Sequence, residues 1–192
     1  MAFAEPINQT IDIRPVDGDE SGDSGCLLGI DPGIQRTGYA VLTRGETEAN
    51  PFSRRETPRL AEGGVIRSDA DETMARRVAE IASGIREVVE QYRPRAAAIE
   101  QLFAHPQHPR AALVMAHARG AILLVLAEAE VPVLDFAPTQ IKQILTGSGR
   151  ASKEQMQHAV TTELGLDRLL EPNDVADATA AALCLYHSVR FA

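Results

Sequence analysis

Tryptophan is absent from this 192-residue chain, and all aromatic residues together make up only 4% of it. The core must therefore be built from aliphatic side chains. Hydrophobic residues at 44%, in a chain of this length, suffice for one domain with a sizeable interior. Cysteine is also scarce. Cys26 and Cys184 both lie in apolar runs, which predicts two reduced, buried thiols in a cytoplasmic protein rather than a disulfide. No apolar run reaches the roughly 18 residues of a membrane span, so none is expected. The N-terminus, "MAFAEPINQTIDIRP", lacks a basic start followed by an apolar stretch and does not read as a signal peptide.

Positive charge is in deficit as well. The net charge is −8, but residues 1–25 hold six acids and one base, a local −5. Residues 26–192 therefore carry −8 − (−5) = −3. The segment "DGDESGDSG" is poor in apolar residues, which predicts a disordered acidic tail over 1–24 and a single domain over 25–192. A mildly acidic body does not announce a nucleic-acid partner, so any such site has to be a local basic patch.

What is present is a regular alternation of strand and helix signals. Residues 26–31 read as a strand, Pro32-Gly33 as a turn, 38–43 as a second strand, 44–60 as a polar loop and 62–67 as a short third strand. Apolar residues recur at helical spacing over 71–92. "AAAIEQLF", 96–103, reads as a buried strand, 109–130 as a long helix opened by Pro109, and "VPVLDF", 131–136, as a fifth strand. Helices are expected over 138–145, over 153–164 behind a Ser152/Gln155 capping box, and over 172–189. The long helix 109–130 is apolar on nearly every side, which marks a central or interface helix. The order βββαβαβααα predicts one α/β domain with a mixed five-stranded sheet flanked by helices.

Two of the buried strands end in an acid, Asp31 and Glu100. A buried carboxylate without a partner is costly. The last helix opens with "EPNDVADATAAAL", in which Asp174 and Asp177 are three residues apart and share a face. Each acid has an ordinary alternative. Asp31 can bond to amides of its own turn, Glu100 can pair with Arg119, and Asp174 can cap its helix. Taken together in this order, four carboxylates can meet at one edge of the sheet, and their natural companions are hard divalent cations such as Mg²⁺.

The stretches "GIDPG…TGYAV", "AIEQLF", "ARGA", "QIKQILTGSGRASKEQMQ" and "DVADATAAAL" resemble the RuvC family of Holliday junction resolvases, over about residues 26–190. The resemblance implies a ribonuclease H-like fold and a homodimeric, Mg²⁺-dependent endonuclease that cuts two symmetric strands of a four-way DNA junction in recombination and repair. It implies catalytic, metal-holding roles for Asp31, Glu100, Asp174 and Asp177, with two ions per site and Mn²⁺ able to substitute. A RuvAB branch-migration motor is the implied partner.

The DNA side of such a site is expected at Lys142, Arg150 and Lys153, which surround the loop "LTGSGRAS", where glycine and a helix N-terminus suit a phosphate. Phe103, three residues after Glu100, can stack on an unpaired base, as the resemblance implies, or serve as an ordinary core residue. "HPQH", His105 to His108, has no cysteine nearby and reads as a polar loop rather than a zinc site; His117, His158 and His187 read as structural residues on helices. Two rival functions remain. An ATP-using enzyme of the actin and sugar-kinase type also has a strand ending in D-x-G, but needs a second such loop and about twice the length. A junction-binding protein that does not cut has no need of the four acids.

Overall fold

The computed structural model describes residues 12–13, 25–44, 57–102, 109–188 and 190–191. Five strands form the main sheet: β2 (Leu27–Asp31), β3 (Arg36–Arg44), β4 (Pro58–Arg67), β5 (Ala96–Glu100) and β6 (Val133–Phe136), in the spatial order β4-β3-β2-β5-β6. β2 to β4 form an antiparallel meander, and β5 and β6 add parallel strands beyond β2. Helices α1 (Met74–Tyr92), α2 (Pro109–Glu128), α3 (Pro138–Thr146), α4 (Lys153–Glu163) and α5 (Asn173–Ser188) follow in the predicted order. Two further strands, β1 (Asp12–Ile13) and β7 (Arg190–Phe191), pair in parallel. Asp12–Ile13 falls within the tail expected to be disordered; the rest of 1–24 lies outside the described residues.

The sheet is covered on both faces, and strand alternation decides which side chain meets which layer. On one face Leu27, Leu42, Ala96, Ala98, Leu134 and Phe136 pack with residues of α3, α4 and α5. On the other, Leu28, Ile30, Val41, Ala97 and Ile99 pack with α1 and α2. Two-sided burial explains why β2 and β5 read as unbroken apolar runs. Cys26 and Cys184 are both buried, and neither forms a disulfide.

Several boundaries differ from expectation for local reasons. α1 starts at Met74, because the Thr73 side chain accepts a hydrogen bond from the Arg76 amide and caps it there. β4 begins at Pro58 rather than 62; as the sheet's edge strand it tolerates a leading proline and a half-exposed, polar sequence. β5 stops at Glu100, short of Phe103. The capping box of α4 is formed as expected, with Ser152 and Gln155 exchanging hydrogen bonds.

The expectation of no membrane-length apolar stretch needs correction. Arg110–Glu128 is long and apolar enough by length and composition, although His117 and Arg119 interrupt it. Its inner side, Ala118, Ile122, Val125 and Leu126, is buried against the sheet and α1. Arg119 is ion-paired to Asp135 on β6.

Candidate active site

Strand parity aims two acids the same way. In β2, Leu27 faces α5, Leu28 and Ile30 face away, and Asp31 returns to the α5 side. In β5, Ala96 and Ala98 face α5, and Glu100 follows them. The two strands are parallel neighbours with Ile30 beside Ile99, so Asp31 and Glu100 end adjacent strands at their carboxyl ends. That edge of an open α/β sheet is a common place for a ligand.

Helix α5 brings the other two. Its approach depends on glycine. A Cβ on Gly29 would stand 2.0 Å from the Ala178 carbonyl oxygen, and one on Gly38 would stand 2.1 Å from that of Asp174. The helix backbone thus lies directly on β2 and β3, which fixes Asp174 and Asp177 in its first turns above the strand ends. Ala176, Ala178, Ala180, Ala181 and Ala182 are all buried, and their small side chains permit the same close contact.

The electrostatics record the convergence. Asp31 is pushed up from 3.8 to about 7, first by burial and then by the charges of Asp177, Glu100 and Asp174, against a smaller opposing pull from Lys153. Glu100 is raised too, chiefly by burial and then by Asp177, with Lys142 and Lys153 opposing. Among the described residues, three cations stand with the four acids. Lys153 Nζ donates to Asp177 Oδ2 at 3.3 Å. Arg36, at the start of β3, donates to Asp174 Oδ2 from Nε at 2.8 Å, with a second guanidinium nitrogen at 2.5 Å. Lys142, on α3, lies near enough to Glu100 to lower its pKa.

A cavity of about 270 Å³ opens beside the acids. Glu100, Asp177, Lys142 and Lys153 line it, over an apolar floor that includes Ile141 and Met156. Arg150 is exposed in the loop between α3 and α4. Phe103 and His105 to His108 lie outside the described residues, as do residues 45–56 of the polar loop. His117 and His158 lie exposed on α2 and α4, and His187 pairs with Glu163, tying α5 to α4.

The alternatives for the acids resolve differently. Arg119 goes to Asp135, not to Glu100, and Asp174 is held by Arg36. Arg36 is the one residue of this cluster absent from the sequence reading. It follows the Pro32-Gly33 turn, but its partner is 138 positions away, and no local pattern joins the two.

An all-oxygen carboxylate set is the donor chemistry that hard divalent cations take. Asp31 also needs a counter-charge to ionise fully at neutral pH. Among the described residues, no three His, Cys, Asp or Glu side chains are gathered closely enough to hold an ion as they stand. Arg36 and Lys153 occupy two of the four carboxylates instead.

The family model described as "Crossover junction endodeoxyribonuclease RuvC" matches residues 27–185. The chain belongs to the RuvC family. The RuvC of Rhodopirellula baltica is 44% identical over 178 residues, covering 92% of this chain and 90% of that protein. The RuvC of Moorella thermoacetica is 40% identical over 160 residues, covering 82% and 89%. The solved structure of Thermus thermophilus RuvC superimposes with a TM-score of 0.73 at 35% identity, over 83% of this chain and 92% of that one. The same RuvC has been solved in complex with a Holliday junction substrate, with the same score and coverage. The fold of the RuvC domain here is accordingly ribonuclease H-like, with the mixed five-stranded sheet that the sequence predicts.

Proposed function

We propose that the chain resolves Holliday junctions as a divalent-cation-dependent endonuclease, nicking two symmetric strands during homologous recombination and DNA repair. One observation carries the reading. Two parallel strands and one glycine-seated helix aim four carboxylates at a single edge, beside two lysines and an open cavity.

Asp31, Glu100, Asp174 and Asp177 are the groups that would hold Mg²⁺, two ions per site, with Mn²⁺ able to substitute. Bound there, the ions supply an activated water and charge stabilisation for the leaving oxygen. The chain's own residues do the rest. The strand ends hold Asp31 and Glu100 rigidly, which positions ligands better than a loop does. Lys142 and Lys153 bind the phosphodiester at the cavity mouth, Lys153 doing so from a helix N-terminus. Arg150 extends that basic edge along the strand, and Phe103 stacks on a base freed at the crossover.

Paired nicks on a near two-fold junction call for two sites, and a C2 homodimer supplies them. Helix α2 supports this. Leu113 and Leu124 are 66% and 59% exposed, three turns apart on one stripe, with Gly120 open between them. A second copy of the helix covers that stripe. We further assign the protein to the cytoplasm, working with a RuvAB branch-migration motor.

The test is to incubate the protein with a synthetic four-way junction, linear duplex or ATP, with and without Mg²⁺. Symmetric nicks in the junction alone, only with Mg²⁺, are expected. Consumption of ATP, or junction binding without any nicking, would overturn the reading.

A further inference from the structure

The acids and cations of the site do not balance in two different ways. Among the described residues and without metal, Asp31, Glu100, Asp174 and Asp177 face Arg36, Lys142 and Lys153, four negative groups against three positive. Two divalent ions would turn that deficit into an excess of positive charge. The cations now lying on carboxylates would then be surplus there and need another anion. On the endonuclease reading, a DNA strand presents phosphates at that place.

Arg36 is placed to change partners. It reaches only one oxygen of Asp174, Oδ2, through two of its nitrogens. Its side chain is 39% exposed, against 26% for Asp174, so it sits at the rim with the carboxylate behind it. Its planar fork matches a phosphate as well as a carboxylate. The Asp174 oxygen that it occupies is one that a cation also seeks.

We propose that Arg36 is an exchangeable counter-ion. It holds Asp174 while the site is empty of metal, yields that carboxylate when Asp174 turns to a divalent cation, and then binds a phosphate oxygen of the DNA strand entering the site. Arg36 is therefore a positioning residue that makes metal and DNA binding mutually favourable. The proposal rests on the endonuclease reading for its DNA half only.

Arg36→Gln keeps the carbon stem to Cδ and a donor but removes the charge. Binding of Mn²⁺ in the absence of DNA, followed by its electron paramagnetic resonance signal, is expected to tighten by ~5-fold or more, in the ordinary range of a coupling between two sites. Four-way junction binding with Ca²⁺ present is expected to weaken several-fold, and its salt slope to fall by about one, the loss of one phosphate contact. Arg36→Lys, which keeps the charge but not the fork, should lie between parent and Arg36→Gln in both measurements. Arg67, exposed and paired with Arg36 across β3 and β4, is the control: Arg67→Gln should change neither. Mn²⁺ affinity that is unchanged or weaker in Arg36→Gln overturns the exchange. Unchanged junction affinity and salt slope overturn the phosphate contact. If the parent does not prefer a four-way junction to linear duplex, the endonuclease reading fails instead, and the Mn²⁺ titration still decides the exchange.

Discussion

Replacing Asp31 by asparagine should stabilise the metal-free protein while destroying its activity. The folded chain holds the Asp31 carboxyl at about 7 against an ordinary value of 3.8, because burial and three neighbouring acids disfavour its charge. A raised carboxylate value means that the folded state grips the proton more tightly than the unfolded state does. The cost to folding is thus absent below about pH 4, grows between there and about 7, and is complete above 7. A difference of roughly 3 pH units at 1.36 kcal/mol each gives ~4 kcal/mol at pH 8. Asparagine removes the charge but still buries a polar amide, and the neighbouring acids relax only in part, so ~1–3 kcal/mol of gain is the expected remainder.

The assay is thermal melting with a chelator present. In a domain of this size each kcal/mol moves the midpoint by ~2–4 °C, so Asp31→Asn should melt ~3–10 °C above the parent at pH 8. At pH 5 the same arithmetic leaves ~1.6 kcal/mol before the discount, and the gap should shrink accordingly. Adding Mg²⁺ should raise the parent's midpoint more than the variant's, because the ligand that the cation stabilises is missing from the variant. A variant that melts at or below the parent at pH 8, or a gap that does not narrow at pH 5, would show that Asp31 carries no buried charge and that the four acids do not act as one cluster.

In a nicking assay started with Mg²⁺, Asp31→Asn, Glu100→Gln and Asp177→Asn should each cut ~10²–10⁴-fold more slowly, since metal stabilisation of a transition state is worth several kcal/mol. Asp174→Asn, nearest the helix end, should be mildest, and gel shifts should show junction binding retained in all four. Gly38→Ala should lower stability by ~1–3 kcal/mol in chemical denaturation, because its methyl group meets the Asp174 carbonyl and forces α5 off the sheet; nicking should fall with it, and a parent-like rate would refute the role assigned to that contact. Leu124→Arg should convert dimer to monomer in sedimentation at micromolar concentration and replace paired nicks by single ones. A monomeric parent that still makes paired nicks would refute the interface on α2.

The element order and the four acids could be read from the chain because they rest on local signals. β2 and β5 are buried on both faces, so their sequences are continuous apolar runs, and an acid at the end of each is conspicuous. Strand parity then aims both acids at one layer without any knowledge of the rest. What could not be read depends on distance or on edges. β4 is half exposed and opens with Pro58, so its first residues look like loop. Helix α2 passes for a membrane-length segment because most of its surface is apolar, and its buried stripe and its Arg119–Asp135 pair show where it packs. Arg36 looks like an ordinary polar residue after a turn until β3 and α5 are brought together.

The same glycines connect fold to chemistry. Gly29 and Gly38 lower the sheet's own side-chain content, and a glycine in a strand interior weakens that strand by itself. Their positions are useful only because α5 lies on them, and α5 is useful there only because its first turns carry Asp174 and Asp177. Moving the helix outward by the thickness of a methyl group would separate those acids from Asp31 and Glu100 and relieve their repulsion, but it would lose more in packing against the sheet and spoil the site. The close approach is thus held against an electrostatic penalty by the burial of Val175, Ala178, Ala182, Leu183 and Leu185. Stability and function pull α5 in opposite directions at its first turn and in the same direction along the rest of its length.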